Sequence, residues 1–273
     1  MSKMKTLGNK KIGVVGVGNM GASILEGVLA KRLATHSCVW VYDKAGAKAR
    51  VFARRHHAGV ASSASELLEK TDVILLALKP QDFADFAAEH RSSFRPGQIV
   101  ISILAGMTTE KIARALGKNL TIVRAMPNLG AKAGQSMTVI CGKNKTGLSL
   151  AETLFSGCGE VVTLPEKRLD LVTAISGSGP AYFFYLMELL TDFGLKQGLT
   201  PKVAGVLAVQ TGLGAALLAK GSKESCAQLR QRVTSKKGTT EAALKTLQRW
   251  KFGRIFHRAL AAATKRSREL RRG

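Results

Sequence analysis

Two hydrophobic periods alternate along the first half of the chain. Short apolar, β-branched runs read as buried strands: KIGVVGV, CVWVYD, DVILLALK, IVISIL, LTIVRAM and SMTVIC. Between most of them lie stretches with apolar residues at helical spacing, among them ASILEGVLAKR, AGAKARVFARRHH, QDFADFAAEH and TTEKIARALG. Strands alternating with helices predict a doubly wound parallel sheet. The strands are continuous apolar runs, as expected where helices cover both faces. After Leu164 the strand pattern stops at Pro165 and the charged EKRLD. From there the chain reads as helix to its end, which places a domain boundary between 164 and 165.

The helical half differs in texture. LDLVTAISGSGPAYFFYLMELLTDFG is long and apolar with a Ser/Gly interruption. Thr200 and Pro201 read as an N-cap and first helical residue, opening the Gly/Ala-rich PKVAGVLAVQTGLGAALLAK. Segment 182–190 is apolar almost all round, which predicts burial on several sides. A second copy of the chain is the expected cover.

Composition narrows the function classes. The chain has 273 residues, 45% of them apolar and 5% aromatic, a folded composition with an aliphatic core. Cys38, Cys141, Cys158 and Cys226 stand apart with no CxxC pair, so neither a zinc site nor a redox dithiol is expected, and the reading is of no metal and a reducing, cytoplasmic setting. The basic, apolar start is too short and too glycine-broken for a signal peptide, and no run of 18 uncharged apolar residues predicts a membrane span. Lys and Arg total 42 against 18 acids, a net +24. The cations are spread along the chain and lack interleaved aromatics for base stacking, so no dedicated nucleic-acid binding is read from them.

The strongest chemical signal follows the first strand. GVGNMG places Gly16, Gly18 and Gly21 in a GxGxxG between strand and helix, and Asp43 ends the second strand. This is the dinucleotide fingerprint: Gly16 for the tight turn, Gly18 for close approach of a pyrophosphate, Gly21 for helix–strand packing. Asp43 suits a ribose 2′-OH and NAD, whereas Lys44 and the positive charge suit a 2′-phosphate and NADP. The cofactor is read as NADP or NAD, with a slight lean to NADPH.

IGVVGVGNMG, DVILLALKPQ, ISILAGMT, RAMPNLGAKAGQSMT, TAISGSGPAYFFYLMELLTDFGLKQGL, QTGLGAALL, VTSKKGTT and AAATKRSREL together resemble the pyrroline-5-carboxylate reductase family in order and spacing over nearly the whole chain. The resemblance implies an α/β fold class: an N-terminal Rossmann-type doubly wound sheet (1–164) followed by an all-α dimerisation and substrate domain (165–273). It implies NAD(P)H as hydride donor, 1-pyrroline-5-carboxylate as substrate and L-proline as product. A homodimer at least is implied, and a decamer is admitted. Carried over residue by residue, Val15, Gly16, Val17, Gly18, Asn19 and Met20 would hold the pyrophosphate, with Asp43 and Lys44 at the adenosine ribose. Ala77, Leu78, Lys79 and Pro80, with Leu104, Ala105 and Gly106, would line the nicotinamide side, and Asn128 would lie near the reacting centre. Ser235, Gly238 and Thr239 would grip the substrate carboxylate at a helix start capped by Thr239 or a neighbour, with Thr240 reaching the imine nitrogen as the catalytic candidate.

Two departures from the family pattern stand out. Its loop usually reads SPGGTT or SPGGAT, and this chain reads SKKGTT, so Lys236 and Lys237 replace Pro and Gly. Ala64 stands about where the family often has an adenosine-contacting asparagine. None of His36, His56, His57, His90 and His257 falls at a ligand position, so no general acid is read; an imine basic enough to bind as an iminium needs none. Ser176 and Ser178 are not in a GxSxG elbow and suit a close helix turn instead. The rival readings are a reductase of another cyclic imine, a β-hydroxyacid-type dehydrogenase and a non-catalytic polyanion-binding homologue. The second expects a lysine on the helix LVTAISGSGPAYFFYLMELL, which has none.

Overall fold

The computed structural model describes residues 6–117 and 119–272, so the first five residues of the basic, apolar start read above lie outside the described residues. Two compact units divide the chain: the residues up to Gly177 together with 264–272, and Ser178–Ala263. The change from strand to helix does come at Leu164, but the following turns stay with the first unit.

The first unit is built on eight strands in the order β3-β2-β1-β4-β5-β6-β7-β8. They are β1 (Ile12–Val15), β2 (Val39–Tyr42), β3 (Gly59–Val60), β4 (Val73–Leu76), β5 (Ile99–Ser102), β6 (Thr121–Met126), β7 (Ser136–Gly142) and β8 (Gly159–Thr163). The helices of this unit are α1 (Asn19–Ala30), α2 (Gly46–His56), α3 (Ala64–Lys70), α4 (Phe83–His90), α5 (Thr109–Leu116), α6 (Lys145–Ser156) and the short α7 (Leu169–Val172). The continuous apolar runs have their physical reason in two cores. Ile12, Val14, Val73 and Leu75 pack with Ile24, Leu25 and Phe155 on one side, while Val15, Ile74 and Leu76 pack with Leu67, Phe83 and Ile112 on the other. Each such aliphatic side chain removed from water contributes about 1.5–3 kcal/mol before the entropy cost of folding.

One pairing departs from the expected parallel sheet: β7 runs antiparallel to β6. Parallel neighbours need a crossover of about a dozen residues or more. Only residues 127–135 separate these strands, and they close with a 3-10 turn over Leu129–Ala133. The sequence reading also passed over β3, which has two residues, and β8, most of whose side chains are partly or fully exposed.

The chain reverses its direction of travel across the sheet at the β1–β4 boundary. There Val15 pairs with Leu76, Val15 with Tyr42, and Leu76 with Ser102. The carboxyl ends of β2, β1, β4 and β5 therefore lie side by side. Ligands of doubly wound sheets bind at such a switch point.

The remaining helices are α8 (Gly179–Lys196), α9 (Pro201–Gly221), α10 (Cys226–Arg232), α11 (Thr239–Arg249) and α12 (Phe252–Arg272). A single π-type turn over Thr173–Gly177 precedes α8 and accounts for the Ser/Gly interruption. Helices α8 and α9 approach closely: a Cβ on Gly194 would lie 3.0 Å from that of Ala204, and one on Gly212 would lie 2.7 Å from Met187 Cε. Thr200 caps α9 through the Val203 N–H, and a Ser225–Gln228 capping box starts α10.

Two observations bear on the expectations for this unit. Within a single chain, segment 182–190 is not buried: Phe183, Phe184 and Tyr185 are 64%, 56% and 59% exposed. Apolar composition all round a helix states that it needs cover, and a single copy does not supply it. Further, α9 is long and apolar enough to cross a membrane by length and composition, with mean hydropathy 1.5 over its best window. A strict uncharged count stops at Lys202 and Lys220 and misses this; an averaged hydropathy does not.

Candidate functional site

At the end of β1 the backbone turns through Gly16, whose φ of +99° lies in the region open to glycine. A Cβ there would also strike the Ala77 carbonyl oxygen at 2.6 Å. Gly21 is needed for packing, because its Cβ would collide with the Gly16 carbonyl oxygen. Gly18 is different: a Cβ there meets nothing within 4 Å, so this glycine faces open space. Helix α1 starts at Gly18, its first intrahelical bond is Ala22 N–H to Gly18 O, and its first turn carries no acid. The N–H groups of Asn19 and Met20 are thus left without intrahelical acceptors at the positive end of the helix dipole. The cradle fits a pyrophosphate. The side chains of Val15 and Val17 are buried in the core and that of Met20 packs against it, so these residues offer backbone only.

Asp43 closes the other side of this turn. Its Oδ2 accepts from the Val17 N–H at 2.8 Å and its Oδ1 from the Ala45 N–H at 2.9 Å. Val17 N–H is therefore taken, and the carboxylate is fixed in one orientation. Lys44 is exposed beside it. A cavity of about 280 Å³ opens next to this strand end, lined by Tyr42, Lys44, Leu78, Asp82, Asp85, Phe86, Glu89 and His90. Asp82 in the turn before α4 and Asp85, Phe86 and Glu89 on α4 follow helical spacing in this wall. That period was readable in QDFADFAAEH, but only the topology brings this face to the β2 end.

Ala77, Leu78, Lys79 and Pro80 continue from β4. Ala77 N–H extends the ladder to Val15 O at 2.9 Å, Ala77 and Leu78 are half-buried, and Lys79 and Pro80 are exposed. Leu104 is 2% exposed and belongs to the core, while Ala105 and Gly106 form the accessible turn. Gly106, at φ +75°, lies against the end of α12: a Cβ there would sit 2.8 Å from Leu270 O. Lys111 Nζ donates to Arg271 O at 2.8 Å, which ties the same segments together. The helix after this turn is anchored by Glu166, which accepts from Thr109 N–H (2.8 Å), Thr109 Oγ1 (2.6 Å) and Arg124 Nη1 (3.0 Å). Burial raises the Glu166 pKa, but the Thr109 and Arg124 bonds outweigh it and hold the carboxyl below its usual value.

Asn128 spends its amide on structure. Nδ2 donates to Ser176 O at 2.9 Å, and Oδ1 accepts from Gly130 N–H at 3.1 Å and Met137 N–H at 3.4 Å. Through the first of these bonds it holds the π-type turn at Thr173–Gly177. Cys141 and Cys158 are core residues whose thiols burial pushes up to about 12 and about 11, far from reactive values.

The SKKGTT loop leads into α11. Its N-cap is Gly238, and no side chain caps the helix. Gly238 N–H closes a turn onto Ser235 O at 3.0 Å, and the Ser235 hydroxyl sits where a Gly238 Cβ would be. The first intrahelical bond runs from Ala242 N–H to Gly238 O, so the first-turn N–H groups of Thr239, Thr240 and Glu241 have no intrahelical acceptor. Glu241 turns back to the Lys237 N–H at 2.8 Å and pairs with Lys245 Nζ at 3.3 Å. The Lys237 N–H bond first, then Lys245, lower the Glu241 pKa.

Lys237 adopts φ +60°, the left-handed region, at a position where the family motif has glycine. A non-glycine residue there costs roughly 1–2 kcal/mol, partly offset by about 0.4–1 kcal/mol of unfolded-chain entropy that glycine would add. Lys237→Gly should therefore stabilise the protein by about 0.5–1 kcal/mol, raising Tm by about 1–3 °C for a chain of this size. A lowered Tm in a thermal melt would contradict the strain.

Residues 166–270 match the family model described as pyrroline-5-carboxylate reductase dimerisation, and residues 11–106 match that described as NADP oxidoreductase, coenzyme F420-dependent. The chain is 36% identical to the pyrroline-5-carboxylate reductase of Pseudomonas aeruginosa over 264 residues, covering 95% of this chain and 96% of that one. Its structure is similar to that of a pyrroline-5-carboxylate reductase from Coxiella burnetii, with a TM-score of 0.90, 34% identity, and 96% and 98% of the two chains covered. It is also similar to the Plasmodium falciparum pyrroline carboxylate reductase solved with NADP bound, with a TM-score of 0.85, 27% identity, and 96% and 98% covered.

Proposed function

The chain belongs to the pyrroline-5-carboxylate reductase family, and from that premise we propose that it reduces the C=N bond of 1-pyrroline-5-carboxylate with NAD(P)H to give L-proline. The observation that carries the reading beyond kinship is the SKKGTT loop: a hydroxyl from Ser235 and first-turn N–H groups gather at the uncapped start of α11. Such a helix start favours an anion, by ~0.3–1 kcal/mol from the dipole alone. In this reading Ser235, Gly238 and Thr239 hold the substrate carboxylate, and the Thr240 hydroxyl bonds the ring nitrogen.

A reduced nicotinamide, when bound, supplies the hydride. The chain's own residues position the partners. The α1 start and Gly18 would hold the pyrophosphate and Asp43 the adenosine ribose, and the turns at Ala77–Pro80 and Ala105–Gly106 would line the nicotinamide side. The hydride adds to the imine carbon, the π pair moves to nitrogen, and nitrogen keeps the proton it brought as an iminium. No protein acid is required. Orientation of this kind lowers a barrier by ~7–11 kcal/mol in favourable cases.

The match to the dimerisation model over residues 166–270 supports a homo-oligomer, and the exposed apolar side chains of α8 and α9 are the surface such an assembly would cover. We take the working unit as a homodimer, from which a decamer can be built, in the cytoplasm. Incubation with 1-pyrroline-5-carboxylate and NAD(P)H should yield proline; folded, dinucleotide-binding protein that yields none overturns the reading.

A further inference from the structure

We propose that the adenosine end of the dinucleotide site selects NADH over NADPH, and that the selection is made by the fixed Asp43 carboxylate together with the acidic wall of α4. The inference rests on the dinucleotide site proposed above and reverses the lean toward NADPH that Lys44 and the net charge gave.

The two cofactors differ only in a phosphate on the adenosine 2′-oxygen, a group carrying about −1.5 to −2 charge at neutral pH. A carboxylate at the end of the second strand accepts hydrogen bonds from a free ribose hydroxyl, whereas a 2′-phosphate in its place meets a like charge with no proton to share. A flexible acid can swing away from such a phosphate, but Asp43 cannot do so freely. Its two oxygens are held at 2.8 Å and 2.9 Å by the N–H groups of Val17 and Ala45. Each oxygen still has acceptor capacity for a ribose hydroxyl.

The cavity beside this strand end adds to the bias. Asp82, Asp85 and Glu89 line it, all exposed and all on one face of α4 or the turn before it. Opposing them, Lys44 is in the same wall, and Arg50 Nη1 comes to 3.1 Å of the position where Gly46 would carry a Cβ. His90, also in the wall, is engaged by Ser65 at 3.1 Å and lies 3.6 Å from Glu89. Among the residues lining the cavity, three carboxylates thus stand against one permanent cation, Lys44. The chain-wide positive charge does not decide the matter, because exposed charges more than about 8–10 Å away are screened at physiological salt.

The test is direct binding, with no substrate present. Titration of purified protein with NADH and with NADPH, followed by nicotinamide fluorescence, should give a Kd at least tenfold lower for NADH. Asp43→Ser should narrow or invert that ratio, and the double variant Asp85→Asn, Glu89→Gln, which leaves the Asp43 bonds untouched, should narrow it by a few-fold. Equal or tighter binding of NADPH by the unaltered protein overturns the inference while leaving the reductase reading in place. Binding of neither cofactor overturns both.

Discussion

Gly18→Val should weaken dinucleotide binding at least about a hundredfold while leaving the fold intact. The two halves of this expectation have separate grounds. Gly18 has φ −76° and ψ −172°, an extended conformation open to any residue, and a Cβ there meets no atom within 4 Å. The free protein therefore has room for the isopropyl group. The same space is where the pyrophosphate must approach the backbone at the start of α1. A hundredfold loss corresponds to about 2.7 kcal/mol, modest for a side chain that excludes the ligand from its N–H donors. Gly21→Ala would not serve as well, because its methyl would collide with the Gly16 carbonyl and disturb the turn itself. Fluorescence titration with NADH and NADPH gives the binding constants, and a thermal melt reports the fold. Wild-type affinity in a folded Gly18→Val protein would remove the phosphate cradle from this turn.

Thr240→Val should lower kcat/KM for 1-pyrroline-5-carboxylate at least about tenfold with cofactor affinity unchanged. Valine keeps the shape of threonine and removes only the hydroxyl. That hydroxyl makes no hydrogen bond within the chain among the described residues, so its loss costs the free fold little. Against substrate, one hydrogen bond to the ring nitrogen is equivalent to about 1.4 kcal/mol, which is the tenfold. The effect should fall mainly on kcat if the bond strengthens as the nitrogen gains electron density, and on KM if it only holds the ground state. A Thr240→Val enzyme as active as the parent would take the threonine out of the reaction.

Much of the fold and of the dinucleotide turn is legible in the sequence. The continuous apolar runs gave β1, β2, β4, β5, β6 and β7, because they are short, rich in β-branched residues and bounded by turn signals. GVGNMG gave the turn at the end of β1, because Gly16 and Gly21 answer steric demands that only glycine meets. What escaped depended on partners distant in sequence. Apolar runs do not encode strand direction, so β7 read as parallel until the short connection at 127–135 excluded it. Two-residue β3 and largely exposed β8 carry no apolar run. The Asp43 bond to Val17 and the Asn128 bond to Ser176 join residues far apart along the chain, and neither side chain announces its partner. The left-handed Lys237 is the reverse case: the departure from SPGG was plain in the sequence, but its cost required a φ angle. Helices α8 and α9 showed their need for cover, and the family match at 166–270 names a second copy as the means.

The central claim is direct hydride transfer to the imine carbon, and an isotope reads it. The protein is supplied with 1-pyrroline-5-carboxylate and a reduced nicotinamide cofactor deuterated at both C4 positions, and the proline formed is analysed by mass and NMR. The account predicts L-proline carrying one deuterium, on the ring carbon that had been double-bonded to nitrogen, formed in equal amount to the cofactor oxidised. Unlabelled proline, or cofactor oxidation no faster than without the protein, would contradict it.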